Sequence, residues 1–147
     1  MSRLQDQTLV GQAIAEEIAG ECLLGQWRKV SRQLTGIYDA EMRASGLQSS
    51  QLSLLVAVAR AGPVRRTDLG KRLHLDPSTL TRNLRVMLKQ GWVREMPDDE
   101  DQRSARLEIT AKGRKLIESI GPAWKRAQAR ARQLLGRDGA TFVLGLK

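Results

Sequence analysis

Residues 73–117 read LHLDPSTLTRNLRVMLKQGWVREMPDDEDQRSARLEITAKGRKLI, and this stretch decides the fold. Asp76 can accept the free amides of a first helical turn, and Pro77 sits where a missing N–H costs nothing. The spacing predicts a helix from Pro77 to about Gln90, ended by Gly91. Leu80, Leu84, Met87 and Leu88 form its apolar side. Ser78, Thr79, Thr81, Arg82, Arg85 and Lys89 fall mainly on the remaining faces. The period then changes from helical to alternating. WVREM and ARLEI read as two strands, and PDDEDQRS between them, with proline and dense acid, reads as a hairpin tip. Thr110 is placed to cap the helix that follows.

Working outward, Arg66-Thr67-Asp68 opens a short helix through Leu73, with a turn at His74-Leu75. Before it, SSQLSLLVAVARA reads as a helix closed by Gly62-Pro63. The N-terminal segment carries Val10, Ile14, Ile18, Leu23, Leu24, Trp27, Val30, Leu34, Ile37, Tyr38 and Met42 at three-to-four spacing, which predicts one long helix stopped near Gly46. Glycines 20, 25 and 36 weaken it and mark a bend or close packing. So long an apolar stripe, with so little chain to cover it, points to dimerisation. After Thr110, Leu116, Ile117, Ile120, Trp124, Ala127, Ala131, Leu134 and Leu135 give another helix. Gly121-Pro122 is expected to kink it, and a short last helix from Asp138 is expected to bury Phe142 and Leu146. The fold class is mainly α (α+β): helix, turn, helix, then a two-stranded wing.

Of the 147 residues, 41% are apolar, enough for a core, and 3% are aromatic, which weakens any reading built on base stacking. The single Cys22 permits no internal disulfide and fits a reducing compartment. No apolar run approaches membrane-span length. The start, MSRLQDQTLVGQAIAEE, lacks a basic stretch followed by an apolar core, so no signal peptide and a cytoplasmic location are expected. The formal charge is +9 and is uneven: residues 1–59 carry net −1, residues 60–115 net +6, and residues 116–147 net +4. A basic middle suits a polyanion.

A helix fits the major groove of duplex DNA, where every base pair shows a distinct donor and acceptor pattern. Short hydroxyls at Ser78, Thr79 and Thr81 can approach base edges or phosphates, and Arg82, Arg85 and Lys89 can reach guanine or the backbone. Arg103 and Arg106 extend this cationic set into the wing. A charged helix face is often only a solvated one. The adjacent turn, cap and basic hairpin favour DNA here.

The stretch 73–117 resembles the recognition helix and wing of the MarR family of bacterial transcriptional regulators. Asp101-Gln102-Arg103 fills the family's Asp-x-Arg wing motif, and Ile109-Thr110-Ala111-Lys112-Gly113 fills its Leu-Thr-x-x-Gly. SRQLTGIYDAEMRASGLQSSQLSLL, residues 31–55, extends the resemblance, which covers roughly residues 25 to 135. It implies an intertwined homodimer, with residues 1–46 and 111–147 as dimerisation helices and 47–110 as a winged helix-turn-helix lobe. It implies two recognition helices in successive major grooves of a pseudo-palindromic site, with Arg103 reaching the flanking minor groove. The function it implies is a DNA-binding regulator, read here as a repressor. Many members are released by a small phenolic or aromatic-acid ligand, and others by cysteine oxidation. The sequence departs from the pattern at Gln102, where a second Arg is frequent. Arg65 and Gln48 stand where a capping Ser or Thr is common, so their helices are expected to be less well capped. His74 stands where Gly is common, and a positive φ is expected there.

Trp27, Ser31, Tyr38 and Trp124, with Arg28 or Arg32 as carboxylate partner, are the candidate effector-binding residues. Each also serves ordinary packing. Cys22 is a candidate redox switch, with a small buried core residue as the preferred interpretation. One His and one Cys far apart offer no zinc set, and no cofactor is expected. No G-x-S-x-G, P-loop or Rossmann glycine pattern appears, so an enzyme is not expected. The alternatives to a ligand-responsive repressor are a winged-helix module that binds an acidic protein or RNA, and a cysteine-based redox regulator. Within the acidic run, Asp101 is expected to orient an arginine by a charge-assisted hydrogen bond. Asp98, Asp99 and Glu100 are expected at the tip, where phosphate would repel them.

Overall fold

The computed structural model describes residues 2–98 and 105–146, with side chains from residue 9 onward. The elements in order are α1 (Ser2–Glu21), α2 (Leu23–Met42), a 3-10 turn (Arg43–Ser45), α3 (Ser49–Ala61), β1 (Val64–Arg65), α4 (Arg66–Arg72), α5 (Pro77–Lys89), β2 (Val93–Pro97), β3 (Ala105–Ile109) and α6 (Ala111–Gly145). The chain divides into two compact units, Met1–Gly36 and Ile37–Lys147.

In the first unit the single expected helix is two helices that meet at Cys22. Backbone bonds from Cys22 N to Ile18 O and from Gln26 N to Cys22 O carry the chain across the junction. Leu9, Val10, Ile14, Ile18, Leu23, Leu24 and Trp27 are all exposed.

The second unit holds the core. Met42, Leu47, Leu54, Leu55, Val58, Leu69, Leu84, Met87, Val93, Leu107 and Ile109 are buried together. The sheet is antiparallel in the order β1-β3-β2, so the expected two-stranded wing has a third strand. Val64 pairs with Leu107 and Arg65 with Arg106 on one side of β3. Glu95 pairs with Leu107 and Met96 with Arg106 on the other. This period-2 pattern buries Val93, Leu107 and Ile109 on one face of the sheet.

The α3 start is better capped than expected. Gln51 Oε1, within α3 itself, accepts from Gln48 N at 3.0 Å, and Asp39 Oδ1, from α2, accepts from Ser49 N at 2.7 Å, so these two side chains make up for the missing Ser or Thr. At α4, Arg65 makes no side-chain cap bond, as its type implies.

The seam that carries α5 into α6 is close. Thr110 Oγ1 accepts from Gly113 N at 3.1 Å and donates to Gly91 O at 2.6 Å, while Thr110 N donates to Trp92 O at 3.1 Å. A Cβ on Gly113 would lie 2.1 Å from Trp92 O, which is why glycine is needed there. Lys112 Nζ also reaches Gln90 O at 2.6 Å, at the carbonyl end of α5.

α6 continues through Pro122, where a kink was expected, and its non-helical residue lies further on, at Gly136 with φ 68° and ψ 177°. Proline removes one bond, but Gly121 before it has no Cβ to meet the proline ring, so the helix continues. The terminal piece does not bury Phe142 and Leu146 in this chain; they are 61% and 56% exposed. Ala127 and Ala131 are buried instead. Across from them, Glu41 accepts from Arg126 at 2.8 Å and from Arg130 at 3.0 Å, and the Tyr38 hydroxyl bonds Gln128.

Candidate nucleic-acid interface

The α4–turn–α5 pair is built around one tight corner. His74 takes φ 50°, as expected, and Leu75 N closes the turn onto Gly70 O at 3.0 Å. Gly70 lets α5 come close, since a Cβ there would meet Leu80 Cδ2 at 3.2 Å. Asp76 caps α5: its Oδ1 accepts from Thr79 N at 2.9 Å and from the Ser78 hydroxyl at 2.5 Å. These bonds, the Ser78 hydroxyl first, hold the Asp76 carboxyl well below the usual carboxylate range. The cap therefore stays ionised and intact at neutral pH.

Leu80, Leu84 and Met87 are buried, and Ser78, Thr81, Arg82, Arg85 and Lys89 are exposed. The exposed residues recur at three-to-four spacing, so they share one outward face. Thr79 is half-buried at the edge of that face, next to Asn83, whose Nδ2 donates to Thr79 O at 3.1 Å. Val86 is 37% exposed beside Arg82 and Arg85 and was not singled out by sequence. Its signal was a β-branched apolar residue on the polar side of the helical period. A groove of about 560 Å³ runs between α4 and α5 and is lined in part by Arg66, Thr67, Lys71, His74 and Thr81.

At the wing, Asp101, Gln102 and Arg103, with Asp99 and Glu100, lie outside the described residues. Asp98 does not sit at the tip. It is buried, 1% exposed, and pairs with Arg65 at 2.5 Å and Arg106 at 3.0 Å. Arg106, expected among the DNA contacts, is half-buried and turned to this carboxylate at the root of the wing. Sequence gave no signal for the pairing, because Arg65 and Asp98 are 33 residues apart. Nearby, Arg66 pairs with Glu95, and Arg94 with Glu108 at 2.6 Å.

The six candidate effector residues divide between the units. Trp27, Arg28, Ser31 and Arg32 are exposed in the first. Tyr38 is half-buried and Trp124 is 41% exposed in the second. Burial pushes the Tyr38 hydroxyl pKa up, with Arg132 partly opposing. Cys22 is half-buried, and its Sγ accepts from Gly25 N at 3.4 Å. Among the described residues no three His, Cys, Asp or Glu side chains group to hold a metal ion. No described helix is long and apolar enough to cross a membrane.

Residues 47–105 match the profile of the MarR family. A helix-turn-helix-type transcriptional regulator of Bacillus subtilis, YdgJ, itself uncharacterised, is 32% identical over 75 residues, 51% of this chain and 46% of YdgJ. The match thus spans about half the length of that relative. The crystal structure of the Mycobacterium tuberculosis transcriptional regulator MosR superposes with a TM-score of 0.69 at 34% identity, covering 81% of this chain and 86% of that one. A mutant Escherichia coli MarR complexed with operator DNA shares the fold with a TM-score of 0.74 at 20% identity, covering 86% and 91%.

Proposed function

Because the chain belongs to the MarR family of DNA-binding transcriptional regulators, we propose that it is a sequence-specific regulator that grips duplex DNA through the outward face of α5. The observation that carries this is the division of α5 itself. One side is buried core, and the other presents Arg82, Arg85 and Lys89 beside Ser78 and Thr81. A helix so divided enters a major groove with its cations near guanine and phosphate and its hydroxyls near base edges. Val86 suits the methyl group of a thymine. Arg103 supplies the minor-groove contact at the flank.

The regulator acts as a homodimer on a pseudo-palindromic site, with the exposed apolar residues of α1, Leu9, Val10, Ile14 and Ile18 among them, as part of the seam. An exposed apolar series of this size marks an interface. It works in the cytoplasm, as a repressor. A small phenolic or aromatic acid is the effector that releases it.

A mobility shift with duplex from the gene's own upstream region tests the DNA claim. Binding should fall steeply with salt, because each phosphate contact releases a counterion. Arg82→Ala should weaken specific binding by about 1–3 kcal/mol and relax the preference at one base pair. Equal affinity for upstream and scrambled duplexes would favour a winged module for RNA or an acidic protein instead.

A further inference from the structure

Two acids, Glu95 on β2 and Asp98 just past its end, face two consecutive arginines at the entry to α4: Glu95 pairs with Arg66, and Asp98 with Arg65. The first pair is 42% and 40% exposed and contributes little. The second is different in kind. The Asp98 side chain is fully buried and also holds Arg106 at 3.0 Å. Arg65 and Arg106 are register partners across β1 and β3. One carboxylate therefore joins three segments: the strand that leads into α4, the end of β2, and the returning strand β3.

A buried carboxylate that loses its cations is costly, so this root resists any shift that would separate them. β2 ends at Pro97, next to Asp98, and Pro97 pairs with Ala105, the first residue of β3. Asp98 thus ties the two wing strands to the entry of the helix-turn-helix at the base of the wing.

We propose that Asp98 is a positioning residue for DNA binding. With Arg65 and Arg106 it fixes the direction in which the wing leaves the sheet, so that the wing meets the minor groove while α5 occupies the major groove. Arg65 and Arg106 belong to this clamp and are not phosphate contacts. The inference rests on the DNA-binding function proposed above.

The sign of one substitution separates positioning from plain electrostatics. Asp98→Asn removes a negative charge, and charge alone then predicts tighter binding to a polyanion. Positioning predicts weaker binding. The probe is a duplex selected by the full-length wild-type protein from a random-sequence pool. Folding is checked by circular dichroism and thermal midpoint. Asp98→Asn should bind this duplex about tenfold more weakly, the loss expected for one or two charge-assisted contacts. Hydroxyl-radical protection of the minor groove flanking each half-site should disappear. Protection of guanine N7 from methylation in the major groove should remain, a split that general destabilisation would not produce. Arg106→Gln should give the same split, and the double variant should bind no worse than the weaker single variant.

Tighter or unchanged binding by Asp98→Asn overturns the proposal. So does joint loss of both protections in a folded variant. If Asp98→Asn does not fold, Arg106→Gln decides: retained flank protection overturns the clamp. A wild-type protein that selects no duplex overturns the DNA-binding function and the clamp together, whereas selection followed by the wrong footprint overturns the clamp alone.

Discussion

Gly113→Ala should be among the most damaging single-methyl additions in this protein. The new Cβ would lie 2.1 Å from Trp92 O and 2.8 Å from Ile109 Cγ1. A carbon–oxygen contact needs about 3.3 Å, so the start of α6 must retreat from the Trp92 carbonyl by about 1 Å. The obstacle is backbone, and no rotamer change relieves it. The same seam carries the bonds from Thr110 N to Trp92 O at 3.1 Å and from Thr110 Oγ1 to Gly91 O at 2.6 Å. A retreat of that size stretches both beyond useful length. Two bonds at about 1 kcal/mol each, with overpacking of about 1–3 kcal/mol, give a loss of about 3–5 kcal/mol. For a chain of this length the thermal midpoint should fall by at least about 6 °C. Urea unfolding at fixed protomer concentration measures the loss, since association would otherwise shift it. Gly91→Ala is the control. Gly91 has φ 69° and its nearest neighbour is 4.0 Å away, so backbone strain alone should cost about 1–2 kcal/mol. A Gly113→Ala loss no larger than that of Gly91→Ala would refute the reasoning.

Two further outcomes are expected. Asp76→Ala should lower the thermal midpoint and weaken DNA binding by loosening the first turn of α5. Because the Asp76 carboxyl is depressed in the folded protein, its stabilisation is fully present above the unfolded value of about 3.9 and is lost as pH falls through the folded value. The gap between wild type and Asp76→Ala should therefore be flat from about pH 5 to 8 and shrink below about pH 4. A gap as large at pH 2 as at pH 7 would contradict the cap assignment. Ile14→Glu places a charge at a position 51% exposed in the single chain. Sedimentation should show a shift from dimer to monomer, and a mass equal to that of wild type would remove α1 from the interface.

The elements legible in the sequence were those with local signals. α5 was marked at both ends by Asp76-Pro77 and Gly91 and along its length by one clean period, and its structure agrees to within a residue. The positive φ at His74 followed from the resemblance, because glycine is common at that position. The third strand escaped notice because Val64–Arg65 is two residues long and has no period to read. Nothing local in the sequence distinguishes Asp98 from Asp99; what sets it apart is Arg65, distant in sequence and adjacent across the sheet root. Gly121-Pro122 was the expected kink in α6, whereas the non-helical backbone lies at Gly136, which has no proline beside it to mark it in the sequence. Exposure of Phe142 and Leu146 was missed because an apolar stripe shows that a residue will be covered, not whether its own chain covers it.

The central claim is that two copies of α5 read two half-sites of duplex DNA. Selection from a pool of random duplexes by the full-length protein tests it most directly. The enriched sequences should share a pseudo-palindrome whose half-sites are centred about 10 base pairs apart. A pool left without a common sequence, or enriched for a motif with no two-fold symmetry, would contradict it.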